Sequence, residues 1–295
     1  MLKELLRVEM TKDEILKFLG EKGDLPPLPE ILLKLQNLID DPDSDLEAIA
    51  ELIETEPVLS GRLIKLANSV LFGGGREEAG DLSHAVMRLG VKMILDLAYT
   101  LQLPKMFNKL KSFDQFQFWR HSLAVACLVQ VLSKKAGLTE QEQAESYVCG
   151  LMHDLGVVVF DYLIPDEYSD FVQSIDSEEV PLEILEREKF GIDHSELGGR
   201  FIRKYWALSS SVIKSVKNHH QPLSLNGAGP TLFQLVDIAN QVVVNHGITH
   251  GVGTQTESAL EDKVYENLGI PPEELEEIFA ETLEGLDAAE AVMKG

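Results

Sequence analysis

The stretch Gly150-Leu151-Met152-His153-Asp154-Leu155-Gly156 places an adjacent histidine and aspartate at the end of an apolar run of helical length. Imidazole and carboxylate together suit a divalent transition metal, and one carboxylate can bridge two ions that lie about 3.5–4 Å apart. A single His-Asp dipeptide is common by chance. This one gains weight because it belongs to an ordered series of metal-capable side chains.

The series runs through the middle of the chain and includes five of the eight histidines. Its seven members are His121, His153, Asp154, His194, His219, His220 and Asp237. We predict that they hold a divalent metal. The alternatives are a buried core histidine at His121, a helix C-cap at the His-Asp pair, helix-start polarity at His194, surface-loop residues at the His-His pair, and a partner such as Arg120 or Arg200 for Asp237. The other histidines, His84, His246 and His250, are predicted to be structural or exposed.

Helical periodicity predicts an all-α fold, because alternating strand-like runs are hard to find. Long helices are expected from His121 to about Lys135 and from Glu142 to Asp154. Helix starts are expected at the caps Asp43-Ser44-Asp45, Asp81 and Asp193. The last of these is predicted to be a capping box with Glu196. It puts His194 in a first turn, where the helix dipole favours the neutral imidazole.

The chain is predicted to form two helical lobes and a tail. Residues 1–110 form an N-terminal helical bundle, residues 111–252 a helical metal-site domain, and residues 253–295 an acidic helical tail. The tail carries twelve acidic residues and one base, Lys263, between Thr256 and Glu290. A solvated helical face is the expected reading of such a run, and partner binding is the alternative.

Composition restricts the class of protein. A net charge of −23, from 26 Lys+Arg against 49 Asp+Glu, argues against nucleic-acid binding, which needs a basic surface. No apolar stretch reaches the roughly 18 residues that a membrane span requires, so no membrane is expected. Cys127 and Cys149 are expected to be reduced core thiols of a cytoplasmic protein.

The second half of the chain resembles the HD superfamily of metal-dependent phosphohydrolases, whose motif H…HD…D matches His121, His153-Asp154 and Asp237. The further residues His194 and His219-His220 resemble the additional ligands of the HD-GYP subgroup, which hydrolyses cyclic di-GMP. That resemblance implies a first ion on the HD residues and a second ion on the additional histidines, with Asp154 bridging them as the catalytic carboxylate.

The first half has a narrower resemblance, to the HDOD domain, the HD-related output domain of bacterial signalling proteins. Four segments carry it: Leu25-Pro26-Pro27-Leu28-Pro29, Glu56-Pro57-Val58-Leu59-Ser60, Leu66-Ala67-Asn68-Ser69 and Ala85-Val86-Met87-Arg88-Leu89-Gly90. The similarity covers roughly residues 20–250. HDOD domains are regarded as non-catalytic and typically lack several HD ligands, whereas this chain keeps them.

The chain also departs from the HD-GYP pattern in two places. Val157 stands where that subgroup has lysine, and Gln221-Pro222-Leu223 follows the histidine pair in place of a glutamate and a Gly-Tyr-Pro loop. The resemblance therefore implies a bacterial signal-transduction module that retains one or two divalent ions. The nitrogen and carboxylate ligands, without a cysteine, favour iron, manganese or nickel over zinc. A metal-dependent phosphohydrolase acting on a nucleotide or cyclic dinucleotide is the alternative. The expected partner is a signalling protein.

Overall fold

Helices dominate the computed structural model, which describes residues 10–21, 26–69, 72, 78–107, 109–175, 180–206, 208–221, 229–253, 260 and 262–294. No strand occurs among these residues, so the predicted all-α class is confirmed. The segment 222–227 after the histidine pair lies outside the described residues.

The α-helices are numbered in chain order. They are α1 (Lys12–Glu21), α2 (Glu30–Asp40), α3 (Leu46–Glu54), α4 (Pro57–Ala67), α5 (Leu82–Leu89), α6 (Val91–Met106), α7 (Gln115–Lys135), α8 (Glu140–Met152), α9 (Leu155–Leu163), α10 (Pro165–Gln173), α11 (Leu182–Phe190), α12 (His194–Phe201), α13 (Ser210–Asn218), α14 (Leu232–Asn245), α15 (Asp262–Leu268) and α16 (Pro272–Lys294). A π-helical turn, Ile202–Trp206, follows α12 directly.

Aspartate caps start several helices where the sequence predicts them. Asp45 accepts a hydrogen bond from the backbone N–H of Ala48 at 2.8 Å, and Asp81 accepts one from His84 at 2.7 Å. Each bond satisfies a backbone N–H that has no partner within its own helix. Two predicted helices differ at their ends: α7 begins at Gln115, because Asp114 caps it, and α8 begins at Glu140, because Thr139 forms a capping box there.

Two of the segments that carry the HDOD resemblance, residues 66–69 and residues 85–90, meet at the end of α4. The guanidinium of Arg88 on α5 donates to the carbonyl of Ala67 and, at 3.1 Å, to the side-chain oxygen of Asn68. The amide of Asn68 also bonds the backbone of Ala79 in both directions, at 3.0 and 2.8 Å. These bonds hold α4 and α5 in a fixed relation, which gives the two sequence segments a structural role.

A continuous core joins the two lobes. Helices α2 to α6 pack together, and α6 contacts α7 and α8. The packing of α7 along α8 is the most extensive helix–helix contact of the described residues. The first helix, α1, lies against α9 of this second lobe. The predicted boundary near residue 110 stays a prediction.

The acidic tail packs onto the protein along one face. Helix α16 lies against α7, with Leu275, Phe279 and Leu286 buried. Glu274 forms an ion pair with Lys135, and Glu276 accepts a hydrogen bond from His246. The predicted solvated face is thus the outer side of an amphipathic helix.

No single described helix is long and apolar enough to cross a membrane. One pair, Glu140–Leu163 with Pro165–Gln173, meets the criteria of length and composition together, but it is bent by 115°. Its residues 146–160 lie in the core. Cys127 and Cys149 are free and buried, as the sequence predicts for two core thiols.

Candidate metal centre

The His-Asp pair lies in the short break between α8 and α9. His153 is the C-cap of α8, and Asp154 takes the N-cap position of α9 without capping it through its side chain. Aspartate is among the preferred N-cap residues, but this carboxylate makes no capping hydrogen bond and is therefore available for other contacts. Here it faces a group of buried imidazoles.

Two glycines bring the neighbouring helices close to this break. A Cβ added to Gly150 on α8 would lie 2.6 Å from the Cα of Ala126 on α7. A Cβ added to Gly156 on α9 would lie 1.8 Å from the carbonyl oxygen of His194. Neither distance is compatible with a side chain. The two glycines therefore allow α7 and α12 to approach until His121 and His194 reach Asp154.

The first group of ligand atoms comprises His121, His153 and one oxygen of Asp154. The Nε2 atoms of the two histidines are 3.4 Å apart, and they lie 3.6 and 3.0 Å from Asp154 Oδ2. The Nδ1 of His121 donates to the carbonyl of Ile248 at 2.8 Å, and that of His153 donates to Gly150 at 2.8 Å. A carbonyl only accepts, so Nδ1 carries the proton and the Nε2 lone pair faces the centre.

The second group lies at the other oxygen of Asp154. The Nε2 atoms of His194 and His219 are 3.5 and 3.3 Å from Asp154 Oδ1, and His220 Nε2 is 2.8 Å from His194 Nε2. His219 repeats the arrangement of His153: it is the C-cap of α13, and its Nδ1 donates to the carbonyl of Val216 at 2.8 Å. Asp154 is thus common to two sets of ligand-capable atoms, each set lying within 4.8 Å.

Glu186 on α11 orients His194. Its Oε2 accepts from both the Nδ1 and the backbone N–H of His194, each at 2.7 Å, while its Oε1 accepts from the hydroxyl of Tyr168 at 2.7 Å. Carboxylates in this position fix the ring of a metal-ligating histidine and raise its basicity. The sequence reasoning missed Glu186, because its spacing to the series has no helical or motif signal.

Two buried polar atoms of the centre have no hydrogen-bond partner among the described residues: Asp154 Oδ2 and His219 Nε2. His153 Nε2 is close to the former, but a ring whose Nδ1 holds the proton has no hydrogen to donate there. Buried polar atoms are nearly always satisfied, and a bound cation would satisfy both of these acceptors. The residues therefore fit a divalent ion.

Charge interactions support the same arrangement. Burial opposes ionisation of Asp154, but the surrounding imidazoles, His153 first, hold its pKa well below its usual range. Burial lowers the pKa of His153 and, together with the neighbouring His219 and His194, lowers that of His220 well below the usual value. An ionised carboxylate beside imidazoles whose pKa is lowered, as at His153 and His220, suits a divalent transition metal.

His194 differs from its expected state. The helix dipole at the start of α12 predicts a neutral ring, and burial also lowers the pKa, but the carboxylates of Glu186 and Asp154 outweigh both and raise the pKa of His194 well above its usual value. That expectation is therefore wrong. The helix-start prediction itself is correct, because Asp193 caps the helix by accepting from the N–H of Glu196 at 2.8 Å. Glu196 completes no capping box; its carboxylate pairs with Lys12 and Arg200 instead.

Asp237 lies outside both groups. It is half-buried on α14, and burial raises the pKa of its carboxyl. The alternative partners are also engaged elsewhere, since Arg120 pairs with Glu290 and Arg200 pairs with Glu196 at 2.7 Å. The structure brings together six of the seven predicted residues and leaves this one apart. Ligation by any of them stays a prediction.

His250, which the sequence reasoning set aside, lies beside the centre. It is 3% exposed, its Nε2 is 3.8 Å from Asp154 Oδ2, and its ring packs edge-on against His121. Its Nδ1 accepts from the N–H of Val252 at 3.1 Å, the reverse of the arrangement at His121. A histidine in a loop after α14 has no periodic spacing, so the sequence pattern did not predict its position.

The surface-loop alternative is wrong for His219, which is fully buried.

Sequence and structure comparisons agree with this architecture. Residues 25–222 match the HDOD domain family. An uncharacterised protein of Treponema pallidum (strain Nichols) is 30% identical over 197 residues, which are 67% of this chain and 38% of that protein. The chain thus spans well under half the length of that relative.

Two crystal structures share the fold. An HDOD domain protein of unknown function from Geobacter sulfurreducens is 24% identical, with a TM-score of 0.74 over 95% of this chain and 96% of that one. A Shewanella amazonensis SB2B protein, named provisionally as a phosphohydrolase, is 22% identical, with a TM-score of 0.73 over 95% and 97%. Because the family match covers well over half of the sequence, the chain belongs to the HDOD domain family.

Proposed function

We propose that this chain is an output or regulatory module of bacterial signal transduction, and that its His/Asp cluster holds one or two divalent transition ions. One observation carries the metal part of the proposal: Asp154 Oδ2 and His219 Nε2 are buried acceptors that no described donor satisfies. Membership of the HDOD family supports the signalling part.

The ligand sets follow from the two groups around Asp154. His121 and His153 would hold one ion with Oδ2, and His194, His219 and His220 the other with Oδ1. These nitrogen and oxygen donors, without cysteine, favour iron, manganese or nickel over a structural zinc site. A bound divalent ion supplies Lewis acidity toward a phosphoryl oxygen.

A metal-dependent phosphohydrolase acting on a nucleotide or cyclic dinucleotide is the second candidate. The sharing of Asp154 between two groups of ligand atoms favours it. Val157 weighs against it, because this side chain is fully buried in α9 where the hydrolytic subgroup has a lysine. A missing preorganised cation reduces the rate of phosphoryl chemistry by about a hundredfold or more.

A signalling protein in a reducing, cytoplasmic compartment is the partner that we propose. The free thiols of Cys127 and Cys149 support this compartment, because burial raises the pKa of both groups and keeps them unreactive. The exposed side chains of Val58 and Met87, which are 64% and 72% accessible, give the first lobe apolar contacts for such a partner.

A turnover assay separates the two candidates. The purified protein is incubated anaerobically with ferrous iron or manganese and with cyclic di-GMP or a generic phosphodiester, beside an Asp154→Ala variant. The regulatory reading predicts absent or very slow hydrolysis in both proteins. Multiple turnovers per minute that Asp154→Ala abolishes would establish an enzyme instead.

A further inference from the structure

We propose that a basic cleft beside the metal centre binds phosphate, and that its ligand is a small molecule with at least two phosphate groups. The basic cleft is defined by Arg200, Arg203, Lys204 and Lys217, with Leu16 and Leu19 of α1 on its apolar side. Its volume is about 380 Å³, which lies in the range of small-molecule sites. The proposal deepens the function proposed above. It rests on that function only for which end of the ligand faces the metal centre.

The charge of the basic cleft contrasts with that of the whole chain. The protein has a net charge of −23, yet four cations and no carboxylate line this cleft in the part of the chain that the structure describes. Glu196, the acid of α12, is already shared between Lys12 at 3.0 Å and Arg200 at 2.7 Å. A concentration of like charges in a cleft focuses the field and attracts anions.

Three elements position these cations. A Cβ at Gly199 on α12 would lie 3.0 Å from Lys217 Cβ, so α13 packs closely enough to put Lys217 beside Arg200. The π-helical turn, Ile202–Trp206, carries Arg203 and Lys204. Such turns interrupt the regular helix and are frequent at functional sites.

The side chains around the π-helical turn hold it in place. Lys204 Nζ lies 3.4 Å from the carbonyl of Gly20 and 5.3 Å from the centre of the Tyr205 ring. The Tyr205 hydroxyl donates to the carbonyl of Leu19, and the indole of Trp206 donates to Pro26 at 3.2 Å. The turn is thus anchored on both sides, so its cations are presented from a fixed backbone.

A second cleft shares Lys217 with the basic cleft and includes His220 of the metal centre. It has a volume of about 320 Å³, and Lys217 and His220 both line it. Lys217 also lines the basic cleft, and His220 belongs to the second group of ligand atoms at Asp154. Arg187 and Asn218 add hydrogen-bond donors to its wall, and Glu196, which pairs with Lys12 and Arg200, adds one carboxylate. A ligand that reaches both ends therefore meets ligand-capable histidines at one end and four cations at the other.

The chemistry of the two ends defines the ligand class. Arginine forks bind phosphate oxygens in pairs, and divalent ions prefer phosphate and carboxylate oxygens. A compound with one phosphate at each end fits both, such as a nucleoside polyphosphate or a dinucleotide. A nucleic acid fits less well, because the acidic surface of the rest of the chain repels an extended polyanion.

The test uses the full chain as purified, at low salt, and measures binding of inorganic pyrophosphate and orthophosphate by calorimetry. Lys217 and Arg203 are both exposed, so Arg203→Glu with Lys217→Glu leaves the core intact. The matched control is Lys214→Glu, which is exposed on the same α13 helix but lines neither cleft.

We expect pyrophosphate to bind more tightly than orthophosphate. The variant with both charges reversed, Arg203→Glu with Lys217→Glu, should bind pyrophosphate about tenfold or more weakly. The control variant should stay within about twofold of the unmodified protein. No binding at millimolar pyrophosphate, or equal weakening by Lys214→Glu, would overturn the proposal. Tighter binding of a glutamate-rich peptide or of single-stranded DNA would overturn the ligand class.

The metal content of each sample is determined in parallel, so the two proposals fail separately. Pyrophosphate binding that depends on Arg203 and Lys217 in a metal-free sample would contradict the proposed metal site alone. A metal-loaded sample without such binding would contradict the basic cleft alone.

Discussion

At the scale of single residues, the centre depends on which ring nitrogen carries the proton. His121, His153 and His219 each donate Nδ1–H to a backbone carbonyl, and His194 donates to Glu186. With Nδ1 engaged in these bonds, the Nε2 atoms of all four rings face Asp154, and Glu186 and Asp154 raise the pKa of His194 although burial opposes that shift. The backbone and Glu186 thus set the chemistry of the centre before any ion binds.

Glu186→Gln should weaken binding at the second group of ligand atoms. The amide keeps a hydrogen bond to His194 but loses the negative charge that raises the basicity of its ring. Loss of such an outer carboxylate typically lowers metal affinity by about 10- to 100-fold. Titration of manganese against a coloured chelator measures the change.

Glu188→Gln is the control for this prediction, since Glu188 is exposed on the same helix, α11. Unchanged affinity in Glu186→Gln, or an equal loss in the control, would contradict the role given to Glu186.

The buried carboxyl of Asp96 should make the free energy of unfolding depend on pH. This carboxyl is buried on α6, and burial raises its pKa to about 6 although Lys92 Nζ, at 3.0 Å, opposes the shift. The folded protein therefore holds a proton that the unfolded chain releases at lower pH. The stability from this protonated group is full below about pH 4 and is lost as the pH rises through about 6.

Asp96→Asn should remove that loss and stabilise the protein at pH 7 by up to about 3 kcal/mol, since one pKa unit corresponds to about 1.4 kcal/mol. Urea unfolding at several pH values between 4 and 7 measures the difference from the unmodified protein. The difference should grow with pH across that interval. A difference that is constant with pH would show that Asp96 titrates alike in both states.

At the scale of helices, close approach at two glycines decides whether the ligand-capable residues meet. Gly150 sets the distance between α8 and α7, and Gly156 sets the distance between α9 and α12. Both glycines flank the His-Asp pair in the sequence, so one short segment supplies the carboxylate and the two helix contacts that surround it with imidazoles.

Gly150→Ala and Gly156→Ala should each destabilise the fold and weaken metal binding. Forcing a methyl group into such contacts costs about 1–3 kcal/mol. Gly61→Ala is the matched control, because Gly61 lies within α4 and nothing lies within 4 Å of its added Cβ. Alanine should stabilise the helix there by about 0.5–1 kcal/mol. Thermal unfolding that shows the same change in all three variants would rule out the close-approach argument.

At the scale of the whole molecule, short-range sequence features such as helix caps predicted more of the structure than features that depend on distant residues. The caps at Asp45 and Asp81 and the helical class follow from short-range chemistry, and they are confirmed. The ordered series predicted that seven residues converge, and six of them do, because each of the six lies at a helix end or on a helix with a strong pattern.

What the sequence did not predict depends on tertiary contacts. Glu186 and His250 reach the centre from helix and loop positions that have no spacing relative to the motif. Asp237 fits the motif by sequence order, yet its position on α14 leaves it outside the cluster. The docking of α1 on α9 and of α16 on α7 likewise depends on apolar faces whose partners are distant in the chain.

Elemental analysis of protein purified without chelators tests the central claim, that the cluster around Asp154 holds metal. We predict about one or two divalent transition ions per chain. His153→Ala with Asp154→Ala should remove the metal and lower the melting temperature, because an ion that binds only the folded state stabilises it by mass action. Absence of metal from the unmodified protein would contradict the account, and the buried histidines would then be structural.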